Sequence, residues 1–512
     1  MQKAKKLLSV ILMLCIVASI AVGCASTPAP ASDTPSGSAG DASQADNTPK
    51  ETVTLEVWFT GTPQDQADRV EQAINDYLKN TLNSNIQVNI EELGWNDEYT
   101  QRVNNALSTG QAVDVVFTAN WCANVQQNAL QGNFLDLTNY LAANPEISEI
   151  LGEDFINGSK IKGVNYALPC NKEKFHNWGF LLRKDLVDKY NIDLTTIKST
   201  KDLEPYFDKV LAEETGITPI AIQGMDVPDW KFLDWDNISD DDVPGALYPT
   251  SDGSSKTIIN QFTAPESIAV YKTMKEYLKK GYISPDAASA PGVSDLLNTG
   301  KYFAAVQSLK PGKDAEMTQS TGIEYVQVDI TKAYKTNRET TGAMLAIPTH
   351  SKHPDEAFQF IKLLYTDANI LNLIVFGQEN IDYTKNADGT ITTISGSGYA
   401  SGNGWRFGDQ FKQYLLDIED PEKWNKWKSI NDSAPALYSL GFMFDNNDTN
   451  VQTLIANNRA VTQEYYKTFL SGQANDVDAL VKEMDAKYKA AGVDDLLKVM
   501  QEQFDAWVAA NK

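Results

Sequence analysis

Cysteine and histidine are scarce in this chain: there are 4 cysteines and 3 histidines in 512 residues. So few cysteines cannot form a disulfide framework. No Cys-x-x-Cys pair, P-loop or Gly-x-Ser-x-Gly elbow occurs, and "GNGWRFG" misses the dinucleotide fingerprint because Phe407 stands where its last glycine belongs. His350 and His353 are spaced i, i+3 before a helix start, without the pattern of a catalytic zinc site. Positive charge is also short, 44 Lys and Arg against 68 Asp and Glu, for a formal net charge of −24. Nucleic acid and anionic surfaces are therefore poor partners. No cofactor or metal is expected. The acids at Asp240–Asp242 and in "DNNDTN" from Asp445 lack the spacing of a helix-loop-helix calcium site and read as solvated loops.

What is present begins with a secretory signal. Lys3, Lys5 and Lys6 precede an apolar run, Leu7 to Val22, too short for a comfortable membrane span. Ala21-Val22-Gly23-Cys24 resembles the bacterial lipobox, with Ala21 where leucine is commoner, so residues 1–23 are read as a signal peptide and Cys24 as the lipidated first residue. The alternative is a plain signal peptide with an incidental cysteine. Acyl chains contribute about 0.8 kcal/mol per buried methylene, enough for a doubly or triply acylated cysteine to hold a membrane. Residues 24–50, rich in Ala, Ser, Thr, Pro, Gly and Asp, have little to bury and form a flexible stalk. Cys122 and Cys170 remain, and a bridge between them is left open.

The rest of the chain is long enough for two or more lobes and globular in composition, 42% hydrophobic and 10% aromatic. "VTLEVWF" from Val53 alternates as a strand, and Thr62-Pro63-Gln64-Asp65 predicts a helix start with Thr62 as N-cap. Val70, Ala73, Ile74, Tyr77 and Leu78 then mark its apolar face. A strand at 86–90, a helix around 97–107 and a strand at 112–117 complete a β-α-β-α-β order, which implies a parallel sheet with ligand-binding loops along one edge. Those loops carry Trp58, Thr60, Trp95, Asn120 and Trp121. In the second half, Gly300–Val306 and Gly342–Pro348 read as strands. "SKHPDEAFQFIKLLYTD" reads as a helix with Phe358, Ile361 and Tyr365 inward, and Val493, Leu497, Met500, Phe504 and Trp507 as a core-facing stripe.

Five segments together resemble the extracellular solute-binding lipoproteins of carbohydrate ABC importers, in their long subgroup: Leu168–Asp193, Lys279–Ala288, Gly342–Tyr383, Trp405–Phe411 and Ala491–Trp507. Their order and spacing run through the domain from Val53 to Trp507. The resemblance implies a two-lobed α/β fold of the periplasmic-binding-protein type (type II), with hinge strands and an interlobe cleft. It implies no catalysis, a cell-surface location on the outer face of the cytoplasmic membrane, and delivery of solute by a monomer to permease subunits. By that likeness residues 51–168 plus 304–342 form the first lobe and 169–303 plus 343–512 the second, with crossings near 166–169, 303–306 and 342. Ordinary turn residues are the alternative at those places.

Sugars offer C–H faces to aromatic rings and hydroxyls to Asn, Asp, Gln and Arg, so tryptophans beside polar residues suit a saccharide cleft. Trp95, Asn120-Trp121, Trp178, Trp230, Trp235 and Trp405-Arg406 have that texture. Core packing is the competing reading for each, and the favoured one for Trp424, Trp427 and Trp507, which sit on helical patterns. An oligosaccharide or sugar-derived ligand is the expected partner. A peptide or other polar solute is the alternative, and a carbohydrate-active enzyme using paired carboxylates a further one.

Overall fold

The computed structural model of the chain describes residues 51–512; the signal, Cys24 and the stalk lie outside them. The strands are β1 (Val53–Phe59), β2 (Ile86–Glu92), β3 (Val115–Thr118), β4 (Ala167–Pro169), β5 (Phe175–Arg183) and β6 (Thr218–Ala221). They continue with β7 (Asp236–Asn237), β8 (Ala246–Leu247), β9 (Tyr302–Leu309), β10 (Tyr325–Asp329), β11 (Tyr334–Lys335) and β12 (Met344–Ala346).

The first lobe is built on the sheet β2-β1-β3-β12-β4. β1 runs parallel to both β2 and β3, as the β-α-β-α-β reading requires, and β12 returns antiparallel between β3 and β4. The helix α1 (Ala67–Asn80) buries Val70, Ile74 and Leu78 one turn apart, and α2 (Asn96–Thr109) buries Tyr99, Val103 and Leu107. Gly110 ends α2 in the left-handed region at φ 69°, where a side chain would be strained. Phe358, Ile361 and Tyr365 of the helix Pro354–Thr366 close the same core.

The helix start expected at Thr62 lies later, with Gln66 as N-cap. The Thr62 hydroxyl accepts instead from the Trp95 indole nitrogen at 2.9 Å, and the Gln66 amide donates to Gly398 O at 3.0 Å. Tertiary partners have taken the groups that a local capping motif would use.

The second lobe is built on β10-β5-β9-β6, with β11 paired to the start of β5. Its core gathers Phe207, Tyr271, Tyr282, Phe303, Phe469 and Tyr488, and a satellite core packs Phe442 and Phe444 against Leu496, Met500 and Phe504 of the last helix, Val493–Asn511.

Strand pairing corrects the expected lobe division. β9 lies between β5 and β6, so residues 302–309 belong to the second lobe, while β12 places 344–346 in the first. An apolar strand flanked by glycine and alanine reads alike in either sheet, and its period carries no information about its partner. The chain passes between lobes from β4 to β5 through Cys170–Lys174, and from β11 to β12 through Thr336–Ala343. A third passage lies between Leu416, packed on the 383–393 hairpin, and Trp427, whose indole donates to Pro311 O at 2.7 Å.

Two of these passages are tied by charge. Lys172 on the first donates to Glu339 on the second at 2.6 Å, with both side chains largely buried. Burial works against the Lys172 charge, but Glu173 and Glu339 outweigh it and hold the ammonium above its usual range. Cys122 and Cys170 are buried free thiols, both pushed up by burial, Cys170 to about 12.

Candidate functional site

β1, β2 and β3 run parallel, so the loops after their carboxyl ends share one edge of the first sheet, the usual ligand edge, and residues 120–127 after β3 line a cavity there. After β3 the loop is fastened to the second interlobe passage. The Asn120 amide N donates to Thr341 O at 2.9 Å, its side-chain nitrogen donates to Arg338 O at 2.9 Å, and the Trp121 indole donates to Gly342 O at 2.8 Å. Facing it, β5 opens with His176 and Trp178, the short helix Pro228–Lys231 carries Trp230, and residues 232–242 bring Trp235 and a run of aspartates. Between them lies a cavity of about 930 Å³, walled by both lobes and by Thr336–Thr341.

The second-lobe wall is charged. Arg338 pairs with Asp241 at 3.1 Å and Arg459 with Asp242 at 2.9 Å and with Asp240. The Arg338 guanidinium holds the Asp241 carboxyl well below the usual carboxylate range, and Lys231 reinforces it. Asp236 goes the other way: burial pushes it up to about 7, Asp234 adds repulsion, and the Ser439 hydroxyl donated at 2.6 Å only partly compensates. Lys231 Nζ sits 4.7 Å and the Arg338 guanidinium 5.8 Å from the centre of the Trp178 ring, so two cations lie against that indole.

Two polar atoms at this wall have no partner. His176 bonds Asp234 through Nε2 at 2.8 Å, leaving Nδ1 buried and unpaired, and the Trp235 Nε1 is buried and unpaired as well. A buried polar group without a partner costs about 1–3 kcal/mol, so both favour a ligand able to hydrogen-bond there.

Of the residues singled out in the sequence, the cavity brings together Asn120, Trp121, Trp178, Trp230 and Trp235. Trp230 offers little more than an edge: it is 6% exposed, stacked against Phe262 at 5.6 Å and Tyr271 at 6.1 Å, and belongs to the second core. Three others are corrected. Trp58 is buried in the first core, and Thr60 is fully buried with its hydroxyl donated to Gly94 O at 2.9 Å. Arg406 is buried too, paired with Glu92 at 2.8 Å and donating to Thr60 O and to Ser401 Oγ. Its partner lies more than three hundred positions away, so no local pattern could reveal that the guanidinium turns inward. Trp95 and Trp405 stand outside the cavity on the first lobe, Trp405 beside Trp121 and Trp95 beside Trp405.

Asp240–Asp242, read from sequence as solvated loop, line the cavity and pair with Arg338 and Arg459. Arg338, Arg459, Lys231 and His176 were not anticipated. The acidic run was visible, but the arginines that answer it are about a hundred and two hundred residues downstream. No group of three or more His, Cys, Asp or Glu positioned to hold a metal ion occurs among the described residues.

Residues 63–370 match the family described as bacterial extracellular solute-binding protein, and residues 438–509 match a domain of unknown function. A carbohydrate ABC transporter substrate-binding protein of Streptococcus pneumoniae is 24% identical over 469 residues, covering 90% of this chain and 91% of that protein. The crystal structure of NgtS, the N-glycan transport solute-binding protein of Streptococcus pneumoniae, superposes with a TM-score of 0.80 at 22% identity, covering 90% of this chain and 100% of that one. NgtS in complex with Man5GlcNAc gives a TM-score of 0.73 at 22% identity, over 90% of this chain and 99% of that one. The shared architecture is the two-lobed α/β fold of type II.

Proposed function

This chain belongs to the bacterial extracellular solute-binding protein family, and from that premise we propose that it captures an oligosaccharide or sugar derivative in its interlobe cavity and delivers it to the permease of an ABC importer. The observation that carries the reading is that one cavity is lined by an indole from each lobe, Trp121 from the first and Trp178 from the second, among hydrogen-bonding groups. Aromatic faces suit sugar C–H surfaces, and the unpaired His176 Nδ1 and Trp235 Nε1 suit hydroxyls. Contacts from both walls are made together only when the lobes close, so ligand and closure reinforce each other. The protein acts by binding alone, without turnover. NgtS is named for N-glycan transport and has been crystallised with Man5GlcNAc, which makes that glycan a first probe.

In this reading Cys24 carries the lipid that keeps the receptor near its permease at the outer face of the membrane, with residues 25–50 as its tether. Cys24→Ala should move the protein from the membrane fraction into the medium; retention after a salt wash would remove the anchor from the proposal.

The test of function is a melting screen over neutral oligosaccharides, Man5GlcNAc included, with product analysis of each mixture. A ligand that binds only the folded state stabilises by RT ln(1 + [L]/Kd), so a tight sugar raises Tm and is recovered intact. Peptides raising Tm while no sugar does, or cleaved sugar appearing, would overturn the reading.

A further inference from the structure

The tryptophans left outside the cavity are continuous with it. Trp121, 42% exposed, forms part of the cavity wall, and its ring lies 6.1 Å from Trp405, which in turn lies 6.2 Å from Trp95. The fully buried Phe117 touches both Trp121 at 5.9 Å and Trp405 at 6.0 Å, forming a floor beneath them. Behind Trp95, at 5.2 Å from its ring, is the Arg406 guanidinium, itself locked to Glu92.

We propose that Trp405 and Trp95 form an additional saccharide subsite outside the cavity, a platform on the first lobe that receives the part of a long glycan emerging past Trp121. The proposal rests on the saccharide reading of the cavity and adds a length preference to it.

Three observations carry it. The indole nitrogens of Trp121 and Trp95 already donate within the protein, to Gly342 O at 2.8 Å and Thr62 Oγ1 at 2.9 Å, so both rings are held in place before any ligand arrives. Half-buried indoles side by side at the mouth of a cavity leave aromatic surface in water, which a folded chain seldom does without use. The three rings also form one strip, Trp405 lying 6.1 Å from Trp121 on one side and 6.2 Å from Trp95 on the other. A strip of rings continuous with a polar cavity suits an extended chain of sugars, with C–H faces on the indoles and hydroxyls in water. An anionic membrane is a poor occupant beside a net charge of −24.

Calorimetry on the full chain with a panel ordered by length tests this. The panel is Man1GlcNAc and Man5GlcNAc, together with manno-, gluco- and xylo-oligosaccharides of two to six units. Trp95→Ala should weaken the longest bound glycan of a series about two- to tenfold and leave its shortest bound member unchanged, the range given by one lost aromatic contact. Trp405→Phe keeps a ring and serves if Trp405→Ala fails to fold; it should retain most of the length preference that Trp95→Ala loses. Trp178→Ala, within the cavity, should weaken short and long glycans alike. Wild type binding no member of the panel would sink the saccharide reading and the platform with it. Wild type binding short and long members equally, or Trp95→Ala lowering both by the same factor or neither, would overturn the platform alone.

Discussion

The two walls of the cavity are built on different physics. The first-lobe wall is nearly neutral, with Asp97 as its one lining charge among the described residues, and its ring Trp121 is fixed by a hydrogen bond to backbone. The second-lobe wall and the adjoining passage carry Lys231, Arg338 and Arg459 against Asp234, Asp236 and Asp240–Asp242, most of them paired with each other. One side therefore offers contact area whose ordering cost was met in folding. The other offers polar groups whose pairing a ligand must match or displace. On the proposed saccharide reading, this division would have the first lobe supply affinity for any sugar face and the second decide which sugar enters.

The tryptophans separate the walls most sharply. Trp230→Ala should cost about 3–5 kcal/mol of folding stability, because its stack with Phe262 and Tyr271 lies in the second core. Trp121→Ala removes a ring that is nearly half exposed. It should leave unfolding by denaturant little changed and cost about 2 kcal/mol of saccharide affinity by calorimetry, the size of a binding hot spot. If the two variants exchanged these effects, the assignment of Trp230 to structure and Trp121 to ligand would be reversed.

That contrast also marks how far the sequence could be read. The alternation in "VTLEVWF", the acids and proline opening Pro354–Thr366 and the final amphipathic helix are local patterns, and the structure places them as strand, helix and core. That Asn120 and Trp121 line the cavity was legible because a short apolar strand ends there and the strand ends of a parallel sheet border its crevice. Arg406 was not, since an arginine beside a tryptophan looks the same whether it faces solvent or a buried Glu92. The placement of β9 was misjudged for a related reason: which sheet a strand joins is settled by long-range pairing, here with β5 across more than a hundred residues. Local chemistry announces an element, whereas distant partners decide its use.

Charge gives a third way to divide the walls. With acids outnumbering bases around the cavity, an oligosaccharide carrying uronic acids should bind about tenfold more weakly than a neutral one of equal length, since like charges brought together oppose binding. The gap should narrow with added salt as screening shortens the reach of those charges. Equal affinities at low salt would show that Arg338, Arg459 and Lys231 are free to receive carboxylates, and the second wall would then be read as an anion receptor.

The smallest effect is expected at Asp236, where the charged wall meets the satellite strand pair β7–β8. Its carboxyl is pushed up to about 7, chiefly by burial, whereas an unfolded aspartate titrates near about 3.9. Between those values the folded chain keeps a proton that the unfolded chain has released, so stability falls as pH rises through the window and levels off above about 7. The carboxylate thus contributes an unfavourable charge at neutral pH. Asp236→Asn keeps an oxygen to accept from Ser439 and removes the titration. Measured by denaturant unfolding, the variant should match wild type near pH 4 and exceed it at pH 8, by on the order of 1 kcal/mol once screening by water in the cavity is allowed for. Stability profiles that run parallel from pH 4 to pH 8 would show that Asp236 is ionised in the folded protein, and that its neighbours on the second wall already supply the positive charge it needs.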